Sequence, residues 1–284
     1  MQSVVVTGVS TGIGYGASRV LIDRGMHVFG SVRKQADADR LMADFGESFT
    51  PLLFDVTDEA AISRAADEVR SALRGNKLFG LVNNAGVASP GPLLEIAPED
   101  FRQQLAINLE GPFLVTQAFC PLLGVDSSLQ GAPGRIVNIS SVAGVRALPF
   151  LGAYAASKFG LEGYSEALRR ELLLFGIDVI LIGPGPVQTS IWDKAEQIDT
   201  SRYASSPYAP LLKGFQQAFV EKGRNGYSQA RLGELIHKAL TTERPRVRYP
   251  AVKSSIAEKL MLALAPKRVI DRVIGKAVGL LQKN

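Results

Sequence analysis

Ser3-Val-Val-Val-Thr7-Gly8-Val-Ser10-Thr11-Gly12-Ile13-Gly14 opens the chain, and its reading decides the fold. A short run of β-branched residues stopped by glycine predicts a buried strand. Behind it, Ala17, Val20, Leu21 and Ile22 recur at helical spacing up to Gly25, a residue suited to end a helix. Strand, glycine turn and helix in that order form an anion site. The glycines let the backbone approach a ligand, and the helix N-terminus presents unpaired N–H groups. The spacing is G-x3-G-x-G, not the commoner G-x-G-x-x-G, so the position between strand and helix carries the inference.

Outward from this turn, apolar strands alternate with amphipathic segments. Strands are expected at His27–Val32, Pro51–Phe54, Leu78–Val82, Arg135–Ile139 and Ile177–Ile182, with a short one at Arg246–Tyr249. Helices are expected from Asp58 to Leu73, from Pro98 to Leu123 in two pieces, and from Ser157 to Phe175. That alternation predicts an α/β fold with a doubly wound parallel sheet, helices on both faces, and ligands at the carboxyl ends of the strands. One domain over residues 1–250 and a helical extension over 251–284 are expected, with Gly124 to Gly134 as a surface insertion.

The composition bounds the function. The chain has 284 residues, 46% hydrophobic and 21% charged, which suits a folded domain with a large core. A single cysteine, Cys120, excludes an intrachain disulfide framework and points to a reducing, cytoplasmic setting. The first strand starts at Ser3, so no leader peptide is expected, and no apolar run reaches the roughly 18 residues of a spanning helix. The net charge of +5 comes with no basic run or zinc spacing, which argues against nucleic acid and leaves anionic small ligands. Two histidines, His27 and His237, are too few for a multi-histidine metal site.

Tyr154 and Lys158 stand four residues apart, on one face if the segment is helical. A phenol has a reference pKa of about 10, and an ammonium held close favours the phenolate. Such a pair can pass a proton to or from an alcohol or carbonyl oxygen near neutral pH. A solvated helix surface offers the same spacing without any chemistry, so the pair needs company.

That company is five linked motifs, over which the first 190 or so residues resemble the short-chain dehydrogenase/reductase family. They are Thr7-Gly8-x3-Gly12-x-Gly14; Asn83-Asn84-Ala85-Gly86; Asn108; Ser141, 13 residues ahead of Tyr154-x3-Lys158; and Pro184-Gly-Pro-Val-Gln-Thr189. The resemblance implies a Rossmann-type oxidoreductase acting on a carbonyl or alcohol. It implies a catalytic tetrad in which Tyr154 is the general acid or base and Lys158 lowers its pKa and binds the nicotinamide ribose. Ser141 donates to the substrate oxygen, and Asn108 holds a water. It further implies that Gly8, Ser10, Thr11, Gly12, Ile13 and Gly14 line the cofactor with Asp55, Val56, Asn84, Ala85, Gly86, Pro184, Gly185, Val187 and Thr189. Ser140 competes for the serine role, but the interval to Tyr154 favours Ser141.

Family members specific for NAD carry an acidic residue at the end of the second strand, where this chain has Val32 followed by Arg33 and Lys34. Arg33 is suited to pair with a 2′-phosphate, so NADP(H) is favoured over NAD(H), although Thr11 replaces a second basic residue found in many relatives. The resemblance makes Ser190 to Tyr227 the lid, which carries Ile191, Trp192, Tyr203, Tyr208, Leu211, Leu212, Phe215 and Phe219, with Val142, Val145, Leu148, Pro149 and Phe150 as candidates for the opposite wall. This resembles the hydroxysteroid and retinol dehydrogenase branch and implies a lipophilic substrate with Trp192 in the pocket. The same aromatics would equally pack the lid onto the core. A homodimer or homotetramer through the helices at Pro98–Leu123 and Ser157–Phe175 is implied. The basic amphipathic C-terminus would pack on the core, join a dimer contact or lie on an anionic membrane surface.

Two rivals remain. Gly8-Val-Ser10-Thr-Gly12 also fits the G-x-S-x-G elbow of an α/β-hydrolase esterase, although that elbow normally follows several strands. A nucleotide-sensing module without turnover is the other, with the tetrad arguing against it.

Overall fold

The computed structural model describes residues 1–189, 201–252 and 265–281. Seven parallel strands form one sheet in the order β3-β2-β1-β4-β5-β6-β7: β1 Ser3–Val6, β2 His27–Val32, β3 Phe49–Leu53, β4 Gly80–Asn83, β5 Arg135–Ile139, β6 Asp178–Pro184 and β7 Arg248–Ala251. Val4, Val5 and Val6 are fully buried because both sheet faces are covered, as a parallel sheet requires. Pro51 is tolerated in β3 because that strand lies at the sheet edge. The last strand runs to Ala251, one residue past the division expected after 250.

Helices α1 (Gly12–Asp23) and α2 (Gln35–Phe45) cover one face. Helix α3 (Glu59–Leu73) covers the other, with Asp58 capping it by accepting from the Ala61 N–H. Helix α2 goes unannounced by periodicity, because only Ala38, Leu41 and Phe45 turn inward from an otherwise polar segment. The expected two-piece helix is α4 (Pro98–Leu105) and α5 (Gly111–Cys120), joined by a π-turn over Ala106–Glu110. Helix α6, Gly152–Glu171, begins five residues before the expected Ser157 and so contains both Tyr154 and Lys158.

Helices α7 (Ala209–Arg224) and α8 (Gln229–Thr241) follow, and α8 packs along α1. Helix α9, Lys267–Val278, sets Val278 against a cluster of Phe150, Tyr203 and Leu212 while Val269 and Val273 stay exposed. The expected insertion between Gly124 and Gly134 is pinned to the fold: Gln130 bridges to Asn76, and Leu129 is buried. Trp192 and residues 253–264 of the basic amphipathic C-terminus lie outside the described residues. No helix among the described residues is long and apolar enough to cross a membrane.

Candidate active site

The loops that leave β1, β4, β5 and β6 meet at one end of the sheet. Gly8 and Gly12 adopt left-handed φ of +69° and +66°, which bends the chain from β1 into α1. A Cβ on Gly14 would sit 2.2 Å from the Gly8 carbonyl oxygen and 2.5 Å from Asn84 Nδ2, so only glycine fits there. Thr11 precedes α1 in an extended conformation and makes no side-chain cap bond. The first N–H groups of α1 therefore face outward as donors for an anion.

Polar bonds hold the turn in shape. Asn84 Nδ2 donates to the carbonyls of Thr7 and Gly8 at 2.9 and 3.1 Å, while Thr7 Oγ1 accepts from the N–H groups of Asn84 and Ala85. Gly8 N donates to Ser31 Oγ at 3.0 Å. Thr189 reaches the turn from the far side, 3.4 Å from where a Gly12 Cβ would stand. Pro184 ends β6, the Gly185 N–H donates to the Ala251 carbonyl, and buried Val187 bridges to Tyr227. A pyrophosphate with a nicotinamide beyond it fits this cradle, because the backbone donors and the missing Cβ atoms coincide.

Ser141 follows β5 and caps a short 3₁₀ turn, its Oγ accepting from the Ala143 N–H at 3.1 Å. Its hydroxyl faces the Tyr154 phenol, two residues into α6, closely enough to act on that phenol's ionisation. Burial pushes the phenol above its ordinary pKa, and the Ser141 hydroxyl pulls it back down. Lys158, which the resemblance implies lowers the phenol's pKa, is not among the groups that shift it here. Lys158 is itself buried, and its Nζ donates to the Ile139 carbonyl at 2.9 Å, 5.9 Å from the Tyr154 ring centre. Burial drops the ammonium to about 8, opposed by the negative charge of Glu162.

Asn108 sits in the π-turn, an irregularity that often marks functional sites. Its Oδ1 accepts from Val87 N, and its Nδ2 donates to the Val87 carbonyl and to Ser157 Oγ. The side chain thus braces the loop after β4. Gly86 lies between Asn108 and Lys158, where a Cβ would be 3.1 Å from Oδ1 and 3.7 Å from Nζ.

At the other end of the cleft, Arg33 is exposed and pairs with Asp55 at 3.6 Å. Asp55 also accepts from Thr57 N and Oγ1, and Asp58 rather than Asp55 caps α3. Val56 is buried against Gly111. Arg40 on α2 was not singled out by the sequence, yet its Nη2 donates to the Ser10 carbonyl at 2.7 Å and to Asp37 at 3.2 Å. Glu162 and Arg248 were missed as well, because their partners are distant in sequence. Ser10 follows the first strand rather than several, His27 opens β2 at the opposite end of the sheet, bonded to Thr50, and His237 lies within α8.

Ahead of α6, Phe150 takes a left-handed φ of +64°, unusual for a bulky residue. The Gly91 N–H donates to its carbonyl, and its ring meets Tyr208 and Phe215 edge-on. These aromatics therefore do pack the lid segment on the core, one of the two roles the sequence left open.

The model for short chain dehydrogenases matches residues 2–199. The chain belongs to the short-chain dehydrogenase family. This short-chain dehydrogenase is 35% identical over 276 residues to an NADPH-dependent 3-dehydrocapnine reductase from Ornithobacterium rhinotracheale, covering 97% of each chain. It shares its fold with a short chain dehydrogenase/reductase from Burkholderia phymatum solved with NAD, at TM-score 0.76 and 22% identity over 96% of this chain and 94% of the other. A short chain dehydrogenase from Burkholderia cenocepacia solved with NADP gives TM-score 0.72 and 24% identity over 96% of this chain and 99% of the other. The short-chain dehydrogenase is therefore an oxidoreductase with a nicotinamide dinucleotide site.

Proposed function

We propose that this enzyme interconverts a lipophilic carbonyl compound and its alcohol with NADP(H), using Tyr154 as the general acid or base. The meeting of the Ser141 hydroxyl and the Tyr154 phenol, beside the glycine cradle and buried Lys158, carries this reading. The bound nicotinamide supplies or accepts the hydride. In reduction, Tyr154 gives its proton to the substrate oxygen, and its raised pKa keeps that proton available at neutral pH. Ser141 donates to the same oxygen as charge develops there. Lys158, four residues on, steadies the phenolate left behind.

Arg33 and Arg40 support the 2′-phosphate preference. Both guanidinium groups flank the adenosine end of the turn, and Arg40 supplies the second cation that Thr11 does not. The relative named for NADPH dependence points the same way. Gly8, Ser10, Thr11, Gly12, Ile13, Gly14, Asp55, Val56, Asn84, Ala85, Gly86, Pro184, Gly185, Val187 and Thr189 complete the proposed cofactor contacts. An apolar substrate is supported by the exposed side chains of Leu93, Leu94 and Val145 near the catalytic helix, with Leu93 lying against Gly152 at its first turn. Exposed Phe113 and Phe159 on α5 and α6 suit a contact between copies of the chain.

Steroid, retinoid, fatty and small aromatic carbonyls followed by NADPH absorbance test the substrate class. The panel is run on wild type and Tyr154→Phe. Turnover on at least one lipophilic carbonyl is expected, falling about 100-fold or more in Tyr154→Phe with NADPH affinity held. A clear preference for NADH, or an active Tyr154→Phe, overturns the respective half of the proposal.

A further inference from the structure

Behind the catalytic loop lies an ion pair for which the proton-transfer chemistry above has no use. Glu162 stands on α6 one turn beyond Lys158 and two beyond Tyr154. Arg248 comes from β7 and passes over Gly183, where a Cβ would lie 2.3 Å from its Nη2. Its Nε donates to both Glu162 oxygens at 3.1 and 3.0 Å, and Nη2 donates to Oε1 at 3.0 Å. Only 25% of the arginine side chain and 15% of the glutamate side chain are exposed, so water weakens the pair little.

The pair ends on the two serines after β5. Ser140 Oγ donates to Glu162 Oε1 at 2.6 Å, and Arg248 Nη2 donates to the Ser141 carbonyl at 3.2 Å. Gly144 leaves the necessary gap, since a Cβ there would stand 2.6 Å from Ser140 Oγ and 2.9 Å from Glu162 Cγ. Ser140 is therefore fixed through its hydroxyl and Ser141 through its backbone, which leaves the Ser141 hydroxyl to face Tyr154. Three elements that meet only in the folded chain, β5, α6 and β7, are joined at one point.

We propose that Glu162 and Arg248 are positioning residues that hold the Ser141 hydroxyl in register with Tyr154. The inference rests on the roles proposed for those two residues. Reaction rates fall steeply with small misplacement of catalytic groups, so the clamp acts on kcat more than on binding. The ionisable groups that act on the carboxylate are Lys158 on its own helix and Arg248 from β7. Loss of its charge also withdraws support from the Lys158 ammonium, which then loses its proton at lower pH.

Glu162→Gln, Arg248→Lys, Ser140→Ala and Tyr154→Phe are compared in the full-length enzyme by carbonyl reduction and NADPH binding. Glu162→Gln is expected to lower kcat about 10- to 100-fold with cofactor affinity within about twofold. The alkaline limb of its rate profile is expected to move to lower pH, and Arg248→Lys to retain more activity than Glu162→Gln. Ser140→Ala removes the hydroxyl tie without stranding a charge, and is expected to lower kcat in a folded protein even if Glu162→Gln does not fold. Wild-type kcat and pH profile in folded Glu162→Gln, or in Ser140→Ala where Glu162→Gln does not fold, overturn the clamp. Parallel losses of kcat and cofactor affinity do so too, by marking a merely structural pair. An active Tyr154→Phe overturns the underlying site assignment instead, so the two failures stay separate.

Discussion

Lys158 donates its ammonium to the Ile139 carbonyl at 2.9 Å, tying α6 to the last residue of β5. The bond holds the charge in a place where only 4% of the residue is exposed. Burial lowers the lysine from 10.5 to about 8, a cost of about 3 kcal/mol while the group is charged.

The sign of its pH effect follows. Between about pH 8 and 10.5 the unfolded chain binds more protons at this site than the folded one, so stability from this group rises with pH across that window. Lys158→Met is expected to melt no lower than wild type at pH 7, and wild type should gain on it as pH climbs to 10. Turnover should fall at least 100-fold. Thermal melts at the two pH values check this, and a melting difference that does not change with pH would count against it.

Gly14→Ala should damage cofactor binding more than any other single methyl. The added carbon meets the Gly8 carbonyl oxygen at 2.2 Å and Asn84 Nδ2 at 2.5 Å, so the turn must move. NADPH affinity is expected to drop about 100-fold or more, with a stability loss of about 1–3 kcal/mol from overpacking. Isothermal titration and chemical denaturation measure the two effects, and unchanged affinity would show that the cradle is not the phosphate site.

Arg33→Ala and Arg40→Ala should each raise KM for NADPH about 10-fold while leaving NADH nearly unchanged, the expected size for a charged hydrogen bond lost. Asp55→Asn, which releases Arg33 from its ion pair, should not weaken NADPH through that arginine. Steady-state kinetics with both cofactors decide between a 2′-phosphate site and a pair of solvated surface cations.

Cys120 should be chemically quiet. Burial pushes its thiol up to about 11, and its neighbours belong to the apolar cluster beneath α5. At pH 7.5 almost no thiolate forms, so iodoacetamide should leave activity unchanged over hours, and Cys120→Ala should retain wild-type kcat/KM. Rapid inactivation by alkylation would contradict both.

Strands β2 and β5 stand in the fold with the bounds their residue patterns predict, because β-branched runs buried on two faces leave one stable conformation. The glycine turn, Ser141, Tyr154 and Lys158 were legible for a similar reason: their spacing within strand, turn and helix fixes their relative placement locally. Helix α2 was hidden, since three inward residues suffice when a helix touches the core along a narrow stripe. The start of α6 was hidden as well, because Leu151 gives no side-chain cap and Gly152 is a weak helix former.

The sequence by itself determined the alternating parallel fold and its strand–glycine turn–helix opening, which follow from periodicity and short-range spacing, and its linked motifs pointed by resemblance to the proposed proton-transfer couple. Only the tertiary structure decided that Arg40 reaches Ser10, that Arg33 leans on Asp55, and that Arg248 grips Glu162 behind Ser141. Those pairings depend on which loops the crossovers bring to the same end of the sheet. A polar side chain reveals no partner until packing removes the water that would otherwise serve as one.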